Sequence, residues 1–307
     1  MRLAVLCLPE SWYLRDLRRA AGDRHQIESV AFHQLRADQS IVGREGFGSG
    51  RFDLVEFDAV LVRTMPPGSL EQIVFRMDVL GRLEQSGVVV LNPPRAIEAA
   101  VDKYLALARL REAGLPTPRT WVCQTLEDAM DGYERLGGDV VVKPLFGGEG
   151  RGILRVEDPA LARRVFATLV QLNSVIYLQE FVPHHGYDLR LLVVGDEVIA
   201  MRRRNADDWR TNISRGAVPE PVEPGDEPVA MARLAARAIG APIAGVDVLP
   251  GKDGRLYLLE VNAVPGWRAL AQTAGCDIAR LILDFTEAAA GRASSGTQRP
   301  DPGAAFR

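Results

Sequence analysis

Residues 140–156, VVVKPLFGGEGRGILRV, decide how the rest of the chain is read. Three β-branched valines run into Lys143, and a loop carrying Gly147, Gly148, Gly150 and Gly152 follows. Beyond it Ile153, Leu154, Arg155 and Val156 alternate like a second strand, and Glu157, Asp158 and Pro159 read as the cap of a helix. A dinucleotide fingerprint needs its glycines to open a helix, and a P-loop ends in Gly-Lys-Ser/Thr; neither condition is met. What remains is a hairpin whose glycine tip can fold over polyphosphate, offering backbone N–H groups to the anion beside the strand-end lysine. The plainer alternative is a structural glycine-rich hairpin.

On the N-terminal side, 2–8 (RLAVLCL), 27–32, 57–63 (FDAVLVR) and 88–91 read as strands. Segments 12–21 and 70–85 alternate with them as helices, the second carrying Leu70, Ile73, Val74, Met77 and Leu80 on one side. This predicts a small α/β lobe with a parallel sheet over 1–95. A second lobe, 96–175, opens with a helical pattern over 96–113 that Gly114, Pro116 and Pro118 end. A strand at 119–122, a helix at 126–136 and the hairpin around Lys143 complete it. In a third lobe, 176–290, a strand covers 175–182, and strands 190–195 and 197–203 meet at Gly195-Asp196 as an antiparallel hairpin. A helix covers 229–239, a second hairpin joins 244–249 to 255–261, and 278–290 is a closing helix. The tail, 291–307, is rich in Ser, Gly, Pro and Arg and is predicted disordered.

At 307 residues the chain exceeds what one core usually serves. A net charge of −3 gives no reason to expect a polyanion as partner. Cys7, Cys123 and Cys276 lie far apart without a Cys-x-x-Cys pair, which suits a reducing compartment and gives no zinc signature. The apolar opening is stopped by Pro9, and no stretch approaches the roughly 18 apolar residues of a membrane span. A cytoplasmic protein is expected.

The sharpest chemical constellation is Asp247 in GVDVL with Glu260 and Asn262 in LEVNAVPG. Glu260 and Asn262 are two apart on one strand and share a face, and the turn at 251–254 brings Asp247 across from them. Two carboxylates and an amide oxygen are hard donors of the kind Mg²⁺ takes when it enters with ATP. The other reading is a polar face of a solvated hairpin, weakened by the apolar residues that dominate both strands. The arginines at 202, 203, 204, 210 and 215 invite a nucleic-acid reading, but only Trp209 is near as a stacking aromatic. His184 and His185 are adjacent on a turn and are expected at the surface.

Taken in order, Lys103 in VDKYLALARLREAGLPTP, Lys143 in VVKPLFGGEGRG, LQEFV, GYDLRLLVVG, DDWRTNISRG, GVDVL and LLEVNAVPG resemble an ATP-grasp ligase. The resemblance is strongest to the RimK-like α-L-glutamate ligases, which modify a ribosomal protein or add glutamate to pterin or deazaflavin cofactors. It covers 96–290 and implies the ATP-grasp fold: an N-terminal α/β lobe, then two antiparallel-sheet lobes that hold the nucleotide between them. By the same resemblance, Lys103 and Lys143 contact ATP phosphates and the adenine side of the pocket, under a loop that includes Gly147, Gly148 and Gly150. Glu180 accepts from the adenine amino group, Phe181 and Val182 supply backbone contacts, and Asp188 holds the ribose. Arg210 and Asn212 lie beside phosphates and metal, and Asp247, Glu260 and Asn262 bind Mg²⁺, or Mn²⁺ in its place.

The implied activity is ATP-dependent ligation of a carboxylate to an amine through an acyl phosphate. Arg190, Arg202, Arg210 and Arg215 are the candidates for holding the carboxylate and the oxyanion. L-Glutamate is the implied amino-acid donor, and the acceptor carboxylate lies on a small pterin-type cofactor or on a protein C-terminus. The chain departs from the ribosomal-protein enzyme at Ser214, where that enzyme has histidine, and at Ala217, where it has glycine; its glycine loop looks more like the cofactor-modifying branch. Rivals are an ATP-grasp kinase, a nucleotide-binding protein without catalysis and, at fold level, an NAD oxidoreductase. No membrane and no nucleic acid are expected as partners, and a homo-oligomer is compatible with the sequence. Arg63 ends a strand where α/β sheets present ligands and is able to pair with an acceptor carboxylate, although a solvated or structural charge is the preferred reading.

Overall fold

Strand β1 (Arg2–Leu6) is wholly apolar after its first residue and lies at 0% exposure from Leu3 to Leu6. It is central in a four-stranded parallel sheet of order β2-β1-β6-β7, which also contains β2 (Gln26–Val30), β6 (Ala59–Val62) and β7 (Val89–Leu91). Helix α1 (Trp12–Ala21) links β1 to β2, and α2 (Leu70–Gln85) links β6 to β7, started by a capping box between Ser69 and Gln72. Between β2 and β6 stands a small antiparallel sheet of β3 (Leu35–Ile41), β4 (Arg44–Ser49) and β5 (Phe52–Asp53), whose polar and glycine-containing strands are not among the elements expected from the sequence. The computed structural model describes residues 1–41, 44–148 and 150–296.

The expected helix over 96–113 is two helices, α3 (Pro94–Val101) and α4 (Lys103–Glu112). Asp102 divides them: its backbone is extended, and its carboxylate accepts from the N–H groups of Tyr104 and Leu105. Lys103 thereby opens a helix. The middle lobe continues with β8 (Thr120–Cys123), α5 (Leu126–Arg135), β9 (Val140–Lys143), β10 (Leu154–Val156), α6 (Pro159–Gln171) and β11 (Ile176–Glu180). Its strands pair antiparallel in the order β10-β9-β11-β8 over a core of its own around Tyr133, Phe166 and Leu178. Since β11 belongs to this sheet, the expected division at 175/176 moves past Glu180.

The last lobe holds β12 (Tyr187–Val194), β13 (Glu197–Arg204), β14 (Val218–Pro221), α7 (Asp226–Ile239), β15 (Ile243–Pro250), β16 (Leu256–Asn262), α8 (Arg268–Ala274) and α9 (Ile278–Gly296). Five strands make one antiparallel sheet, β14-β13-β12-β15-β16. Helix α9 passes the expected end at 290, and the remainder of the expected disordered tail, 297–307, lies outside the described residues. First and last lobes are not separate cores: Val60 and Leu80 share a cluster with Leu191 and Val246, and Leu3 and Leu61 share another with Ile243 and Trp267. The middle lobe stands apart from this common body, and the candidate site lies between them.

Buried Asn92 ties the first sheet to the last. Its side-chain N–H groups donate to the carbonyls of Ile243 (2.6 Å) and Ala263, and its Oδ1 accepts from the Ile243 N–H at 3.0 Å. Asn92→Ala strands three buried backbone groups and is expected to lower the unfolding free energy by about 3 kcal/mol. Urea denaturation checks this; a loss below about 1 kcal/mol would mean that water or rearrangement replaces the amide.

Candidate active site

Register across the last sheet places the charges. Asp188 pairs with Arg203, Arg190 with Asp247, and Asp247 with Glu260, while Gly245 lies opposite Asn262. Directly opposed residues share a face, so these side chains form one row across four strands. Arg203 donates through Nε to Asp188 Oδ1 at 2.8 Å, and its Nη2 lies 2.8 Å from Asp247 Oδ2. Arg190 Nη1 donates to Asp247 Oδ1 at 2.6 Å, and Thr211 donates to Asp188 at 2.7 Å. Burial opposes ionisation of Asp247, but the two guanidiniums outweigh it and hold the carboxyl at about 2. Gly245 leaves room for this pairing, since a Cβ there would lie 2.4 Å from Arg190 Nη2. Glu260 is unlike its neighbours: burial and the adjacent Asp247 push its carboxyl up, and among the described residues it accepts no hydrogen bond.

The middle lobe supplies the lysines. Lys143 Nζ donates to Gln179 Oε1 at 2.6 Å, and Lys103 Nζ donates to the Gly147 carbonyl at 2.8 Å. The glycine loop is seated on the last lobe, where the Gly150 carbonyl accepts from Arg215 Nη2 at 3.2 Å. Gly150 has φ +70°, and a Cβ on it would lie 2.5 Å from Asn212 Oδ1, so only glycine fits this approach. Desolvation, reinforced by Lys103, pushes Lys143 down to about 8 although Glu260 and Asp247 favour its charge. Lys143 is therefore cationic below about pH 8 and loses its charge above it. An entering polyphosphate stabilises the charged form, so binding of a non-hydrolysable ATP analogue at pH 8.5 is expected to take up a proton and to weaken as pH rises. Calorimetry in buffers of different ionisation enthalpy measures that proton; no uptake at pH 8.5 would remove Lys143 from the phosphate contact.

Two cavities meet here. A narrow one of about 90 Å³ runs between the middle and last lobes past Val141, Phe181, Val182, Trp209 and Leu249. A wide cleft of about 1020 Å³ opens between α3, α4 and the ends of β6 and β16. Lys103, Lys143, Gly147, Gly148, Arg203, Asn212 and Glu260 border both.

Most of the expected site residues are brought together, with several differences in detail. Arg202 borders neither cavity: strand alternation turns it with Arg204 to the opposite face, where both lie 5.1 Å from the Tyr187 ring and pair with Glu220. Its neighbour Arg203 holds the site position. Glu180 accepts from Arg119 with both carboxylate oxygens, at 2.7 and 2.6 Å, and borders the narrow cavity, each oxygen keeping a further lone pair. Asp188 is 1% exposed and engaged by Arg203 and Thr211 rather than open to a ribose. Arg210 borders the narrow cavity with its guanidinium held by Asp208 at 2.6 Å. Asn262 Oδ1 accepts from the Val264 N–H at 2.8 Å, which leaves it one lone pair. His184, expected at the surface, is half-buried and borders the narrow cavity, whereas His185 is exposed. The hairpin turn at Gly195-Asp196 already implies the 188↔203 register that would have singled out Arg203; nothing in the sequence pairs Arg119 with Glu180.

The donor set tests the metal. Among the described residues, no group of three or more His, Cys, Asp or Glu forms a metal cage. Mg²⁺ needs less, because one or two carboxylates suffice when phosphate and water complete its shell. Glu260, with its carboxylate free of hydrogen bonds, and Asn262 fit that role, and Asp247 fits it where Arg190 or Arg203 yields.

Residues 100–286 match the RimK-like ATP-grasp domain. The chain is 31% identical to the tetrahydromethanopterin:alpha-L-glutamate ligase of Methanosarcina acetivorans, across 91% of its own length and 96% of that protein's. It is also 31% identical to a probable alpha-L-glutamate ligase of Haemophilus influenzae, across 94% and 97%. In fold it is similar to the ATP-grasp ligase PsnB solved with a minimal precursor, Mg and ADP: TM-score 0.74, 24% identity, 94% of this chain and 97% of that one. No helix among the described residues is long and apolar enough to cross a membrane. The shared domain over residues 100–286 and the full-length identity place this chain in the RimK-like ATP-grasp family, as an ADP-forming carboxylate-amine ligase.

Proposed function

We propose that the protein joins the α-amine of L-glutamate to a carboxylate of a small pterin-type cofactor. The observation that carries this reading is the junction of the two cavities at Lys143, Arg203 and Glu260; in this reading a phosphoryl donor in the narrow one meets an acceptor in the wide one. In this reading ATP lies in the narrow cavity, its adenine against Phe181, Val182 and the apolar wall of Val141 and Leu249, with the arginine-engaged Glu180 behind them. Lys103, Lys143, Asn212 and the N–H groups of Gly147, Gly148 and Gly150 face the phosphates, and Arg210 stands at the rim. Bound to Asp247, Glu260 and Asn262, Mg²⁺ supplies charge neutralisation for the β- and γ-phosphates.

The chemistry follows from charge. An acceptor carboxylate oxygen attacks the γ-phosphorus and ADP leaves, which turns a poor electrophile into an acyl phosphate. The glutamate amine attacks the acyl carbon, gives up a proton, and phosphate departs with the former carboxylate oxygen. In this reading Arg190, on the wall of the wide cleft, orients an anion there, whereas Arg215 borders neither cavity and braces the glycine loop through the Gly150 carbonyl; a dry, preorganised site makes such contacts effective. The pterin acceptor is supported by the relatives named for tetrahydromethanopterin and by a net charge of −3, which gives no electrostatic pull towards ribosomal material. Mass spectrometry of reactions with ATP, Mg²⁺, glutamate and tetrahydromethanopterin is expected to show glutamyl additions on the pterin. Additions on a ribosomal-protein C-terminus alone would move the acceptor to protein, and a phosphorylated acceptor without amide would make the enzyme a kinase.

A further inference from the structure

Arg63 directly follows β6 and forms part of the wall of the wide cleft. It is 6% exposed, and its guanidinium lies 4.7 Å from the Tyr13 ring and 4.3 Å from the Trp267 ring. Nη2 donates to the Pro265 carbonyl at 2.7 Å, while Nε is buried without a partner. Among the described residues no carboxylate pairs with it. Burial lowers it to about 10, so it remains cationic at neutral pH.

A buried cation with an idle donor and no counter-ion is costly, and an apolar side chain would fill a purely structural slot at lower cost. Two aromatic faces recover part of that cost and also fix the plane of the fork. Its position along the chain is informative as well. Pro265 lies three residues beyond Asn262, a reach of at most about 11 Å, shortened by the turn in which Asn262 accepts from Val264. Arg63 is thus a preorganised cation within one small molecule's length of Asn262, on the wall of the wide cleft and not of the narrow cavity.

We propose that Arg63 binds a carboxylate of a substrate, one that does not react, and so sets the substrate's orientation in the wide cleft. The inference rests on the ligase reading of that cleft. Both the incoming amino acid and an acceptor with a second carboxylate carry this chemistry, and the experiment separates them. Wild type and Arg63→Gln are titrated by calorimetry with L-glutamate and, separately, with tetrahydromethanopterin, each with a non-hydrolysable ATP analogue and Mg²⁺ present. A tenfold or greater loss of affinity for one compound, with unchanged affinity for the ATP analogue, is expected, and the compound affected identifies the source. Unchanged affinity for both, or no binding of either by wild type, overturns the proposal. Should Arg63→Gln not fold, Arg63→Lys takes its place: it keeps the charge, loses the planar fork, and is expected to weaken the same compound severalfold. Amide formation by wild type is scored separately. Amide with unchanged affinities in the variant retires this inference alone; Arg63-dependent binding without amide retires the ligase reading alone.

Discussion

Glu260→Gln is expected to slow amide formation by roughly three orders of magnitude, about 4 kcal/mol of transition-state stabilisation. Glu260 borders both cavities, stands directly opposite Asp247, and has no hydrogen-bonding partner among the described residues. A carboxylate kept free on half-buried ground, with its proton affinity raised by burial and by Asp247, is poised for a cation rather than for a structural contact. Glutamine preserves shape and removes the charge. Loss of repulsion with Asp247 offsets any lost attraction to Lys143 and Arg190, so stability should change by less than about 1 kcal/mol. ADP release kinetics and thermal unfolding of the same preparation separate the two effects. A variant at near wild-type rate would remove Glu260 from the metal and phosphate chemistry.

Arg203→Met should act on stability as strongly as Glu260→Gln acts on rate. Arg203 bridges two buried carboxylates, Asp188 and Asp247, with side-chain exposures of 8%, 1% and 4%. Removing one partner from a buried charge network typically costs about 3–5 kcal/mol, because the remaining charges are left uncompensated. Asp188 would keep only Thr211, and Asp247 only Arg190. The sign of the pH dependence follows. In wild type the Asp247 carboxyl, held at about 2, contributes stability that is present above its unfolded value and lost as pH falls towards 2. In the variant both carboxyls rise in pKa, so the deficit is largest at pH 7 and narrows as pH falls through their raised values, which lie above the ordinary carboxylate value of about 4. Denaturant titrations at pH 7 and pH 4 measure this directly. Equal stability of variant and wild type at pH 7 would show that desolvation cancels the ion pairs in this network.

Much of this was legible in the chain, and particular residues show why. The valines at 140–142 and the turn signals at Gly195-Asp196 and 251–254 specify strands and hairpins locally, because alternation and turn chemistry act over a few residues. Asp247 opposite Glu260 follows from the same local register. Arg202 shows the limit: counting arginines without following the register through the turn selected the side chain facing Tyr187 and passed over Arg203. Glu180 with Arg119 and Arg63 with Trp267 are contacts between residues 61 and about 200 positions apart, on which periodicity carries no information. The break at Asp102 was available in principle, since an aspartate two residues before free amides is a cap signal even inside an apolar helical pattern.

The central claim is that an acceptor carboxylate is phosphorylated at the junction of the two cavities before the amine attacks. The most direct measurement uses an acceptor whose carboxylate carries ¹⁸O, with ATP, Mg²⁺ and glutamate, and follows the label by mass spectrometry. The expected result is one ¹⁸O in the inorganic phosphate for each amide formed, with ADP unlabelled. Amide formation that releases only unlabelled phosphate, or that places the label in AMP, would contradict it.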